Sequence, residues 1–230
     1  MSLVSLAPVV LRIPVDARSV PATRYPAAAG APVLALAPGA GGSREGPLLA
    51  GVAKALAATG IEVVTFDFFY REAGRSFPDP APVREACWRA VAAWIQAERG
   101  VTPFVGGHSM GGRAASTAVA GGMPAAGLVL LGYPLYPAGK RDHRAGWRDA
   151  HLAGMGRPAL FVTGSRDELA ATRDLRGVLR PLGERAALHV VRGADHGFDV
   201  LARGKRTREA VLGEVVEACR SWIAARGTPR

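Results

Sequence analysis

The pentapeptide Gly107-His108-Ser109-Met110-Gly111 has the form G-x-S-x-G. A serine hydroxyl is a weak nucleophile until a neighbouring base takes its proton and a third group orients that base. The spacing suits a sharp strand-to-helix turn that projects the serine oxygen above a sheet. Gly107 and Gly111 bring no Cβ into so tight a turn, and Gly112 lets the following helix lie close to the sheet. The helix start adds free N–H groups and a positive dipole where an oxyanion would form. A plain glycine-rich turn is the competing reading of these residues. An acid and a histidine at the right places downstream decide between the two.

Five histidines are available as the base. His108 lies inside the turn with its side chain directed away from Ser109, which suits packing. His143 and His151 fall in a stretch read as a surface helix, and His189 sits mid-strand in ALHVV. His196 differs, because RGADHGF (192–198) leaves a strand and turns through glycines before the last helix. For the acid, the tip of the preceding strand in ALFVTGSRDEL (159–169) offers Asp167, with Glu168 as its alternative. Asp195 adjoins His196, cannot readily fold back onto that imidazole, and reads as a loop cap.

These residues need a frame. Short apolar runs alternate with helical patterns from residue 32 onward. Strands are expected at 32–38, 61–68, 102–107, 125–134, 157–165 and 186–196. Helices are expected at 46–60, 81–100, 110–122, 143–155, 174–183 and 207–226. Strands rich in Val, Leu and Ala without polar alternation are buried on both faces. Strand–helix alternation implies right-handed crossovers and a parallel sheet. The runs VVLRIPVD (9–16) and SVPATRYP (19–26) add two edge strands, an antiparallel start. No repeat or linker divides the chain, so one domain over residues 1–230 is expected.

Composition narrows the function classes. With 49% hydrophobic and 21% charged residues in 230, the chain can bury a full core. The net charge of +10 is carried by scattered arginines, and the densest run, RGKRTRE (203–209), lacks interleaved aromatics. No nucleic-acid partner is therefore expected. Cys87 and Cys219 lie far apart without metal spacing and read as buried free thiols of a reducing compartment. The first sixteen residues carry no secretory pattern, and no apolar run reaches membrane-spanning length. A cytoplasmic protein without a membrane partner is the expectation, its oligomeric state left open.

The segments PGAGG (38–42), FDFFYREAGRSFPDP (66–80), GGHSMGGRAAS (106–116), LLGYPLYPAGK (130–140), FVTGSRDEL (161–169) and RGADHGF (192–198) together resemble the α/β-hydrolase superfamily. Within it they resemble a predicted-hydrolase family related to dienelactone hydrolases, which also includes the hydrolase-like domain of an animal NSL chromatin-complex subunit. The resemblance implies the α/β-hydrolase fold: a doubly wound, mostly parallel sheet of about eight strands. The stretch from LYPAGKRDHR to GRPALFV, about two dozen residues, leaves room for one connecting helix and no cap domain. It implies Ser109 as nucleophile, Asp167 as acid and His196 as base, in the superfamily's chain order. The oxyanion donors would be Met110 N–H and one from PGAGG, Ala40 or Gly41. Pro38 departs from the histidine that the family usually carries there. Phe69, Tyr70, Tyr133 and Phe198, with Phe68 and Tyr136, are the candidate substrate wall. Arg71, Arg75 and Arg113 either attract an acidic substrate or pair with carboxylates. The implied activity is hydrolysis of small or exposed esters or thioesters without metal or organic cofactor. An interaction module with a silent triad, or acyl transfer by the same residues, is the alternative.

Overall fold

A computed structural model describes residues 7–201 and 206–227. Residues 203–205 of the basic run at 203–209, and the first six residues, lie outside them. Eight strands form one sheet in the order β1-β2-β4-β3-β5-β6-β7-β8. β1 (Val9–Val15) and β2 (Arg18–Tyr25) make an antiparallel hairpin. Its turn places Asp16 at φ +51, a conformation that Asp tolerates better than most residues. β2 also pairs antiparallel with β4 (Glu62–Phe66). All other neighbours are parallel: β3 (Val33–Ala37), β5 (Phe104–His108), β6 (Gly127–Leu131), β7 (Ala159–Gly164) and β8 (Ala186–Val191). The flat apolar runs of β3, β6 and β7 are buried throughout, as strands covered on both faces must be.

Helices cover both faces. α1 (Pro47–Ala58) and α6 (Arg208–Ala224) pack on one side with Leu34, Val129 and Val162. α3 (Ala81–Arg99), α4 (Met110–Ala120) and α5 (Thr172–Leu179) pack on the other with Ala35, Val105 and Phe161. A one-turn helix, α2 (Phe69–Glu72), follows β4. The helix ends follow local chemistry. Pro47 opens α1, where a missing N–H costs nothing. Gly100 closes α3 in the left-handed region, and the Thr207 side chain accepts the Ala210 N–H at the start of α6.

One expected helix is absent. Residues 143–155 form two 3₁₀ turns, Arg144–Gly146 and Leu152–Met155. Tertiary partners take the backbone away from a helical pattern. Arg148 N–H donates to Leu135 O at 2.7 Å rather than to the preceding turn, and the Trp147 indole donates to Arg141 O. Nor does His151 face solvent as expected, because it turns inward against Ser116.

Cys87 and Cys219 are fully buried and unpaired, and burial pushes both thiols up to about 12. The thiolate is the reactive form, so the folded protein is expected to resist iodoacetamide near neutral pH. Mass spectrometry should find no adduct on the native chain and two after denaturation. Rapid native labelling would contradict this packing.

Candidate active site

β5 ends at His108 and α4 begins at Met110, which leaves Ser109 alone to turn the chain. Ser109 adopts φ +50, ψ −116, a strained conformation for a residue with a side chain. Two backbone bonds hold it there. Its N–H donates to Leu131 O of β6 at 2.8 Å, and its carbonyl accepts Arg113 N–H at 3.0 Å. Gly107 at φ +141 and Gly111 flank it, and a Cβ on either would stand 2.1 or 2.2 Å from the Ala37 carbonyl oxygen. The turn is thus pressed directly onto the end of β3.

Two loops bring the other groups to this serine. After β7, Asp167 N–H donates to Gly164 O, and the Asp167 carboxylate accepts Leu169 N–H at 2.8 Å and faces the Thr163 hydroxyl. After β8, Asp195 accepts the N–H groups of Gly197 and Asp199, so it caps the loop as its position implied. That loop points the His196 ring between the other two residues. His196 Nδ1 lies 3.0 Å from both Asp167 carboxylate oxygens, and Nε2 lies 2.9 Å from Ser109 Oγ. A carboxylate only accepts, so Nδ1 carries the proton and Nε2 is free to accept from the serine. The Asp167 side chain is fully buried, whereas the His196 ring is a quarter exposed.

His108 contributes from beneath. Its Nε2–H donates to the His196 carbonyl at 2.9 Å, and burial holds its pKa below the ordinary value. It therefore braces the backbone that carries His196. The sequence places His108 in packing and carries no local signal for this contact, which spans 88 residues.

The segment after β3 is a tight turn, with Gly42 N–H donating to Gly39 O and Gly41 at φ +75. A Cβ on Gly39 would come within 3.2 Å of Ser109 Cβ, so the turn runs beside the serine. Gly41 N–H already donates to the Tyr70 hydroxyl at 3.3 Å. Of the two expected donors in this loop, that leaves Ala40. Met110 is the first residue of α4, where an N–H has no acceptor within its helix. Arg44 anchors the rest of the loop: its N–H and its guanidinium both reach Asp67, at 2.6 and 2.8 Å. This clamp, absent from the sequence reading, braces the turn that Pro38 enters.

The family described as alpha/beta hydrolase domain matches residues 30–224. The chain belongs to this family. Among solved structures, a dienelactone hydrolase from Anabaena variabilis is similar at 19% identity and a TM-score of 0.76, covering 97% of this chain and 99% of that one. A serine hydrolase without lid from Xanthomonas campestris is similar at 23% identity and a TM-score of 0.69, over 96% and 97%. Est1E from Butyrivibrio proteoclasticus follows at 16% and 0.72, over 94% and 98%. At these identities the likeness is one of fold.

In this α/β-hydrolase the expected wall residues are packed inside. Phe69, Tyr70, Tyr133 and Phe198 are at most 6% exposed, as are Phe68 and Tyr136. The rings of Phe68, Phe69, Tyr70, Tyr133 and Tyr136 fill the space under the loops, whereas Phe198 borders a hollow. Tyr70 holds Gly41, Tyr133 donates to Arg148 O, and Arg18 stacks over Phe69. Phe198, at φ +64, packs near His108 and lines a hollow of about 360 Å³ with Pro47, Leu48, Val211 and Leu212. A second serine–histidine contact, Ser116 Oγ to His151 Nε2 at 2.8 Å, is of another kind. Ser116 is fully buried and already donates its proton to Arg113 O, so it accepts from His151. The pair ties the 147–155 loop to α4.

Two predictions follow from this geometry. Gly111→Ala should lower stability by about 1–3 kcal/mol or more, because the methyl group meets backbone on β3 that cannot yield; denaturant unfolding reads this. Burial also lowers His108 and His151, the latter helped by the Arg113 charge. Their folded values lie below the unfolded value of about 6.5, so the unfolded chain binds protons more readily there. Stability is therefore full above about pH 6.5 and is lost as the pH falls through the lowered folded values. Thermal melts from about pH 7.5 to about pH 5.5 should show a falling Tm, and His151→Gln should flatten the fall.

Proposed function

We propose that this chain is a serine hydrolase that cleaves carboxylic esters or thioesters through an acyl-Ser109 intermediate. The carrying observation is the hydrogen-bonded chain from Asp167 through His196 to Ser109, at 3.0 and 2.9 Å. In this reading Ser109 Oγ attacks the carbonyl carbon while His196 Nε2 takes its proton. Asp167 keeps the imidazole in the accepting tautomer and stabilises the imidazolium. The tetrahedral oxygen accepts from Met110 N–H and Ala40 N–H, which supply preorganised stabilisation. Collapse expels the alcohol or thiol with the proton from His196. Water, activated by the same imidazole, then releases the acid and restores Ser109.

The uncapped connection between β6 and β7 supports a small or exposed ester, since only two 3₁₀ turns interrupt it. The hollow beside Phe198, which Asp199, Arg208 and Glu209 also line, is of a size that takes a small group. Gly197 and Phe198 in its wall directly follow His196.

A fluorophosphonate probe should add one adduct mass to the wild type and none to Ser109→Ala. Asp167→Asn should lower kcat on a p-nitrophenyl ester by about 10³-fold or more with little change in KM. Equal labelling of wild type and Ser109→Ala would sink the mechanism.

A further inference from the structure

The sequence leaves two uses open for the arginines near the site, and the structure separates them. Arg75 pairs with the Asp79 carboxylate. Arg113 and Arg148 have no carboxylate partner among the described residues. Two nearby acids are already engaged, Asp79 by Arg75 and Tyr70 N–H and Asp149 by both Nη groups of Arg144, and Glu85 next to Arg84 makes no ion pair with any of the three. Arg84 reaches only the Asp79 backbone carbonyl, and the Nε groups of Arg84 and Arg113 are buried without any acceptor.

The fold brings these cations together. Arg84 is the fourth residue of α3 and Arg113 the fourth of α4, and both helices start at the carboxyl end of the parallel sheet. One turn beyond Arg84, the Trp88 indole donates to Gly111 O, so this face of α3 meets the start of α4. From the other side, Tyr133 holds the Arg148 carbonyl, and His151 links to Ser116, whose hydroxyl donates to Arg113 O. All three arginines are half-buried, still reachable by solvent. Burial first, and the Arg113 charge second, lower Arg84, Arg148 and His151 from their ordinary values. Guanidinium groups gathered around the start of α4 without a carboxylate of their own, two of them with an Nε lacking an acceptor, are the complement of an oxyanion, which guanidinium forks bind through paired N–H groups.

We propose that Arg84, Arg113 and Arg148 form an anion subsite at the start of α4, with Arg113 one helical turn from Ser109, so that the ester or thioester cleaved there carries a carboxylate or phosphate. The proposal rests on the hydrolase reading of Ser109 for its catalytic meaning, though not for anion binding itself.

The test compares p-nitrophenyl hydrogen succinate with p-nitrophenyl butyrate. The wild type should favour the anionic ester in kcat/KM by about tenfold, as one charge-assisted contact of about 1.4 kcal/mol gives. Arg113→Gln and Arg148→Gln should each remove most of that preference, and added salt should shrink it in the wild type. Using both variants guards against one that fails to fold, which a melting curve reveals. Equal ratios in the wild type and both variants overturn the subsite. Calorimetric titration of Ser109→Ala, with and without Arg113→Gln, by succinate and by inorganic phosphate reads binding without turnover. Whichever anion binds more tightly, in an Arg113-dependent way, names the group recognised. If neither ester is cleaved, Arg113-dependent binding keeps the subsite while the hydrolase reading falls. Neither cleavage nor such binding overturns both.

Discussion

The close contact between the Ser109 turn and the end of β3 sets the geometry of everything above the sheet. The Ala37 carbonyl occupies the space that a Cβ at Gly107 or Gly111 would need. With that space closed, α4 starts immediately after the serine, and the residue between strand and helix must take positive φ. Such strain costs about 1–3 kcal/mol, and the surrounding structure has to over-determine it. It does so through Leu131 O on one side and Arg113 N–H on the other. The serine oxygen is thereby fixed relative to β3, β5 and β6 together, which allows loops from β7 and β8 to meet it.

Those loops are held by a recurring device. Three buried aspartates, Asp67, Asp79 and Asp167, each accept a backbone N–H: from Arg44, Tyr70 and Leu169. Each also faces a basic side chain, namely Arg44, Arg75 and His196. A buried carboxylate is costly unless its lone pairs are filled, and one left without partners destabilises strongly. The same requirement that keeps these groups paired keeps the loops in place. At Asp167 it also fixes the tautomer of a histidine, so loop bracing and proton placement are one interaction.

The cations follow the opposite pattern. Arg44 and Arg75 are taken up by aspartates, while Arg113 and Arg148 face one another's charge with no carboxylate among the described residues. Identical side chains, all close to the carboxyl end of the sheet, therefore have different consequences. The aromatic residues show the same divergence. Tyr70 and Tyr133 follow strand ends and are expected to line a substrate wall, and in the fold their hydroxyls hold the turn after β3 and the Arg148 backbone.

Much of this was legible in the one-dimensional chain because it depends on local chemistry. Short uninterrupted Val and Leu runs bounded by Gly and Pro suit strands covered on both faces. Glycines around Ser109 mark a turn too tight for Cβ atoms, and Gly100 and Thr207 mark helix ends. The topological order of Ser109, Asp167 and His196 was likewise readable, since each lies just beyond a strand end. What only the tertiary structure decided depends on contacts between distant segments. Residues 143–155 have a composition that permits a helix, but Leu135 and Tyr133 claim the Arg148 backbone and prevent one. That the Gly41 N–H is already taken turns on Tyr70, 29 residues away. Which arginines are paired depends on where Asp67 and Asp79 come to rest. Periodicity and turn chemistry record what a residue needs from its neighbours in sequence, whereas a hydrogen-bond partner is chosen only when the folded chain brings two groups within about 3 Å.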